Sequence, residues 1–225
     1  DGLSRHEEIE QFELINTTQK KVATDLARRL LSMQLEDLDA ALRIDERGKR
    51  WEARGPNVVR WLMENSRIWG NMIIPPNKSK RQMRGAVTKE TSFVSSLKPI
   101  LETPAFQKTP DEQVAALIDR YWEAVRKTWP SAFGDPRSSV IYNTSGVFPL
   151  HRLMPEVYEH ARAGGQPPTV ERMAAVMTVW KAQLGHDFWE RGNEHGAARY
   201  GTSMAAFARI AAVLRALLPE LDLML

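Results

Sequence analysis

The 225-residue chain contains no cysteine. That absence excludes a disulfide framework, thiol chemistry and thiolate zinc sites, and it fits a reducing compartment. No apolar run approaches the roughly 20 residues that span a bilayer, and no charged-then-apolar leader opens the chain. The expectation is a cytoplasmic protein with no membrane partner. Charge of one sign is scarce as well. The 31 Lys and Arg residues oppose 28 Asp and Glu, leaving a formal +3, so the placement of charge says more than its sum. There is no internal repeat, low-complexity tract, Gly-rich phosphate loop, esterase nucleophile elbow or kinase signature. The chain begins with Asp1 rather than Met, which reads as a processed, trimmed or truncated end.

What is present is helical periodicity. A hydrophobic content of 43% suffices for one large core or two small ones. Ser4 and Glu7 have the spacing of a capping box, with Ile9, Phe12 and Ile15 on one face of the helix that follows. Asn16, Thr17 and Thr18 interrupt it. The next helix carries Val22, Ala23, Leu26, Ala27, Leu30 and Leu31 as an apolar stripe, with Lys20, Lys21, Asp25, Arg28 and Arg29 on the other face. A short helix is predicted over 35–42, then a charged loop through Gly48. Pro56 and Asn57 introduce an apolar segment, 58–63. Ile68, Trp69, Met72, Ile73 and Ile74 predict a strand or extended segment over 66–74, ended by Pro75-Pro76.

Further along, residues 95–106 read as helix broken by Pro99 and Pro104. Thr109 reads as the cap, and Pro110 as the first residue, of a helix that Pro130 stops. Pro149 or Pro155 opens a helical turn, and Gly164-Gly165 with Pro167-Pro168 makes a break. Thr169 caps a helix burying Met173, Val176, Met177, Trp180 and Leu184. A last helix starts near Thr202 or Ser203 and stops near Pro219. The fold class predicted is mainly α: a multihelical domain with little strand.

Two segments carry candidate chemistry. Asn16, Thr17, Thr18, Gln19 and Lys20 form a polar junction at a helix start, where unsatisfied backbone N–H groups and the helix dipole favour a phosphate. The same residues also serve as ordinary caps and turns. The loop over 77–85 offers Lys78, Lys80, Arg81 and Arg84 with no acid among them, a charge density that neutralises DNA backbone phosphates. A solvated surface loop fits that composition too. Lys21, Arg28 and Arg29 make a second basic face.

His186, Glu190 and Glu194 stand four residues apart with His195 beside them. Gly185 and Gly192 argue against the continuous helix a metal site there would need, so no metal is expected. His6, His151 and His160 lack a nucleophile or carboxylate at diagnostic spacing. Among the seven tryptophans, Trp122 and Trp180 fall on apolar helix faces and read as core; Trp51 and Trp189 stand in polar surroundings and are open as base-stacking positions.

The block Leu3-Ser4-Arg5-His6-Glu7-Glu8, leading to Phe12, Ile15, Asn16, Thr17, Thr18, Gln19 and Lys20, resembles the second sequence block of DGQHR-domain proteins. These are a bacterial group related to the DNA phosphorothioation regulator DndB. Looser similarity continues through Tyr121-Trp122, Val125, Trp129-Pro130-Ser131-Ala132-Phe133, 143–147 and 200–203. Asp1-Gly2 is followed by Leu3-Ser4 rather than Gln-His-Arg, so the resemblance puts the naming motif upstream of residue 1. It implies that residues 1–34 end a DGQHR-type domain, the remainder of a ParB-like or sulfiredoxin-like α/β fold, and that 35–225 form a helical carboxy-terminal domain. It further implies a DNA-binding accessory or transcriptional regulatory protein of a bacterial DNA-modification or phage-defence system. The partners would then be DNA and other proteins of that system. Two other readings stay open. One is a nucleotide-hydrolysing enzyme whose main motif and nucleotide belong to a longer protein; the other is a helical scaffold that forms homo-oligomers or binds proteins.

Overall fold

The computed structural model describes residues 7–9, 11, 24–35, 37, 44–45, 48–76, 78, 81–83 and 85–219. The architecture is mainly helical, as the periodicity predicts. Helix α1 (Thr24–Gln34) lies on α2 (Arg50–Asn65), where Leu31, Ile44 and Ala53 close a small cluster with Leu35 against it. The expected domain boundary after residue 34 therefore falls at the end of a helix packed on the carboxy-terminal part. Most of the expected helix over 35–42 lies outside the described residues.

Pro56 does not introduce the apolar segment 58–63; it sits inside α2, which starts at Arg50. Proline there removes one helical hydrogen bond. The helix continues because Ala53, Gly55, Val58, Val59 and Leu62 bury its inner face on both sides of the proline. At Gly55 the neighbouring helix comes so close that a Cβ would stand 2.5 Å from Val94 Cγ1.

The expected strand over 66–74 shrinks to its last two residues. Ser66 begins a turn, its Oγ accepting the N–H groups of Ile68 and Trp69 at 3.1 and 3.0 Å. Only β1 (Ile73–Ile74) is extended, paired in parallel with β2 (Thr88–Lys89). The residues are strand formers, but only two of them find a strand to pair with, so Ile73 and Ile74 are buried in β1 and Ile68 and Trp69 in the turn before it.

Pro99 and Pro104 act as expected, dividing this stretch into α3 (Glu90–Ser96), α4 (Lys98–Leu101) and α5 (Pro104–Gln107). Helix α6 (Asp111–Thr128) starts one residue later than predicted: Pro110 occupies the cap position, and the Thr109 hydroxyl donates back to the Ala105 carbonyl at 3.1 Å. After a 3-10 turn (Pro130–Phe133), α7 runs from Thr144 to Arg162 with both Pro149 and Pro155 inside it. Neither proline opens the helix. It starts after Asn143, and in its first turn Gly146 packs so tightly on the Ile141 carbonyl that a Cβ would overlap it.

Thr169 caps α8 (Val170–Leu184) through the Arg172 N–H at 3.3 Å, and Ser203 caps α9 (Met204–Arg215) through the Ala206 N–H at 3.2 Å. Helix α6 packs on α2 and α8, and α7 on α3, α8 and α9. Five tryptophans fill the core: 69, 122, 129, 180 and 189, each fully buried. Trp129 stacks on Trp180 with centroids 6.1 Å apart, and the two indoles donate to the Gly185 and Leu214 carbonyls. Truncating any of these rings would cost about 3–5 kcal/mol. No helix among the described residues is long and apolar enough to cross a membrane.

Candidate functional site

The basic loop is the excursion between the two parallel strands. Ile73, Ile74 and Thr88 are buried, the Val87 and Thr88 amides donate to the Met72 carbonyl at 3.0 and 3.2 Å, and the Thr88 hydroxyl donates to the Tyr142 carbonyl. Both ends are thereby fixed to the core. Lys78 donates its backbone N–H to Pro75 and Ala86 to Met83, and Gly85 supplies a φ of 91° that a side chain would resist. The described cations of the loop, Lys78 and Arg81, are exposed, and neither makes an ion pair with a described carboxylate. Lys80 and Arg84 lie outside the described residues, as do Asn16, Thr17, Thr18, Gln19, Lys20 and Lys21.

Pro75, at the loop's root, also borders a cleft of about 570 Å3 between α1 and α2. Arg29 and Arg60 line it, but so do Glu64 and Glu90. Arg29 Nη2 stands 3.3 Å from both Glu90 oxygens, and Arg60 donates to Asn57 Oδ1 at 2.7 Å. The cleft is charge-balanced; the excess positive charge sits in the loop beside it.

Arg28 departs from its expected place on an outward basic face. It is 6% exposed, donating to the Thr91 carbonyl at 2.9 Å and to Ser95 Oγ at 3.1 Å, with Glu52 at 3.9 Å. The reason is α3, which covers that side of α1 and presents carbonyl and hydroxyl acceptors to the guanidinium. Trp51, open as a stacking platform, instead lies under Arg28 and Lys98, whose cationic groups are 5.3 and 5.5 Å from its ring centroid. Trp189 is not a surface ring at all.

Arg54 makes a second buried clasp. Its Nε meets Asp111 Oδ1 at 2.6 Å, and its remaining nitrogens donate to the carbonyls of Phe106, Gln107 and Thr109. Asn57 donates to the other Asp111 oxygen at 3.1 Å. A guanidinium so fully engaged joins α2 to the start of α6 and has no donor fork to offer a ligand.

The structure also brings together a serine and a histidine that sequence spacing did not pair. His151 is fully buried, with Nδ1 2.8 Å from Ser96 Oγ and Nε2 2.9 Å from Trp122 Nε1. The indole N–H can only donate, so Nε2 accepts and the proton resides on Nδ1. Nδ1–H then donates to Ser96, whose hydroxyl hydrogen goes to the Phe93 carbonyl at 2.6 Å. Burial holds the imidazole's pKa down at about 3. The serine oxygen receives a hydrogen bond from the ring instead of giving its proton to it, and the ring is a poor base. This chain is a satisfied core network, not an activated nucleophile. The sequence signal was available: His151 continues the buried stripe of Val147, Leu150 and Met154.

His186, Glu194 and His195 lie in turns and Glu190 forms an isolated bridge with Ser139, so the four do not share a helix, and Phe188 and Trp189 between them are buried. Among the described residues no group of three or more His, Asp or Glu side chains is placed to hold a metal ion. No family model, curated protein or solved structure matches the chain.

Proposed function

We propose that this chain is a DNA-associated accessory or regulatory protein, of the kind found in bacterial DNA-modification or defence systems, and that the loop over 77–85 rests on duplex phosphates. The observation that supports this most is the loop itself: four cations without an acid, carried between two ends fixed to the core. Its described cations are exposed and uncompensated by any described carboxylate. Contacts of this kind supply affinity without reading sequence. The defence-system setting rests on the resemblance of the first block alone. The hydrolase reading would place its phosphate contacts on Asn16, Thr17, Thr18, Gln19 and Lys20, which lie outside the described residues; the buried Ser96–His151 pair does not supply it with a nucleophile.

The test is duplex binding by fluorescence anisotropy across a salt series, comparing the chain with a variant carrying Lys78→Gln, Lys80→Gln, Arg81→Gln and Arg84→Gln. Each phosphate contact contributes about 0.9 to the slope of log affinity against log salt, so the variant should lose up to about 3.6 of that slope. Unchanged low-salt affinity would remove the loop from the interface.

A further inference from the structure

A pocket bordered by the carboxy-terminal end of α3 has the composition of a small-ligand site. It encloses about 290 Å3 between α3, α4, α7 and α9. That is the small end of the range for ligand cavities, which begin near 300 Å3. Its wall is apolar: Phe148 and Phe207 stack with centroids 5.0 Å apart and planes 21° from parallel, flanked by Pro99 and Met204. Met204 is 64% exposed, the most exposed of the large apolar side chains described.

The rim is cationic. Lys98 and Arg152 border the pocket with one acid, Glu102, and Lys98 Nζ is 3.7 Å from that carboxylate. Arg152 is exposed and forms no ion pair with a described residue, so one positive charge is left uncompensated. The two serines at the edge are already committed: Ser95 donates to the Thr91 carbonyl and accepts from Arg28, and Ser96 belongs to the His151 network. Met204 is also the first residue of α9, whose opening turn carries no acid, so the helix dipole adds to the positive field.

The geometry points to a binding site for a small monocarboxylate with a flat, apolar body. The ring or chain lies on Phe148 and Phe207, and the carboxylate meets the planar fork of Arg152. One uncompensated charge calls for one negative charge, and the limited volume excludes a nucleotide. The serines, being saturated, give no second polar anchor, so recognition consists of charge at one end and apolar contact at the other.

Titration of the full chain with 4-fluorobenzoate and with 4-fluorobenzamide, read by fluorine NMR line broadening, tests this. The acid should bind about fivefold more tightly than the amide, the worth of one exposed charge-assisted contact. Arg152→Gln should abolish that preference while leaving amide binding unchanged. Met204→Ala should weaken both probes alike. Both side chains are exposed, so neither variant disturbs the core. Equal affinity for acid and amide, a preference surviving Arg152→Gln, or indifference of both probes to Met204→Ala would each overturn the assignment.

Discussion

Replacing His151 by glutamine removes a proton-binding group from the unfolded chain without removing the native hydrogen bonds. The amide oxygen can accept from Trp122 and the amide N–H can donate to Ser96, the two partners at 2.9 and 2.8 Å in the parent. Burial lowers the native imidazole pKa from 6.5 to about 3, whereas the unfolded imidazole titrates normally. Between those values the unfolded state binds the extra proton, so stability falls as the pH falls. The cost approaches about 1.4 kcal/mol for each pH unit within the window, and from pH 7 to about pH 4.5 it amounts to roughly 2.5 kcal/mol. Glutamine has no such titration. It forfeits the ring's edge contacts with Phe93 and Trp122, at 5.0 and 5.6 Å, and should be less stable at pH 7 by about 1–2 kcal/mol. Urea unfolding followed by tryptophan fluorescence at both pH values measures the four stabilities. Titrating carboxylates are common to both proteins and cancel in the difference of differences. If the variant loses as much stability on acidification as the parent, His151 is not the buried neutral group described.

Arg54→Met should cost about 3 kcal/mol in the same unfolding assay, because Asp111 and three carbonyls lose their donor inside the fold. A loss under about 1 kcal/mol would mean the clasp is not formed. Gly146→Ala should lower the melting temperature although alanine favours helix by about 1 kcal/mol, since its Cβ meets the Ile141 carbonyl oxygen at 2.2 Å. A rise on calorimetry would refute the close approach.

The helical class was legible because the stripes on α6, α8 and α9 recur at helical spacing and because Thr169 and Ser203 are capping residues at the places where those last two helices start. Proline was the misleading signal. Pro56 reads as introducing a new apolar segment and Pro149 or Pro155 as opening a helical turn, yet each lies inside a helix, where burial of neighbours such as Val58, Val59, Leu150 and Leu153 outweighs a cost of about 3 kcal/mol per proline. That balance is tertiary and has no local sequence mark. The same holds for the site. The exposed Lys78 and Arg81 follow from composition alone, whereas Arg28 looked outward on its own helix and was claimed by acceptors on α3, more than sixty residues away. The pairing of Ser96 with His151 is another long-range outcome that no spacing rule anticipates.

Fixing both ends of the basic loop has a consequence for how its charge would act. A cation on a free tail must be ordered when it meets a phosphate, at about 0.5–1.5 kcal/mol for each immobilised side chain, in addition to the backbone. Here β1 and β2 pair in parallel, and Thr88 is tied to Tyr142, so the backbone at the loop's two roots is ordered before any contact is made. The same arrangement separates binding from folding. Lys78 and Arg81 pair with no described carboxylate, and the residues that hold the roots, Met72, Ile73, Ile74, Val87, Thr88 and Lys89, include none of the loop's four cations. Neutralising the loop should therefore leave the unfolding midpoint unchanged while DNA affinity falls, and a variant that lost both together would show that the cations serve the fold.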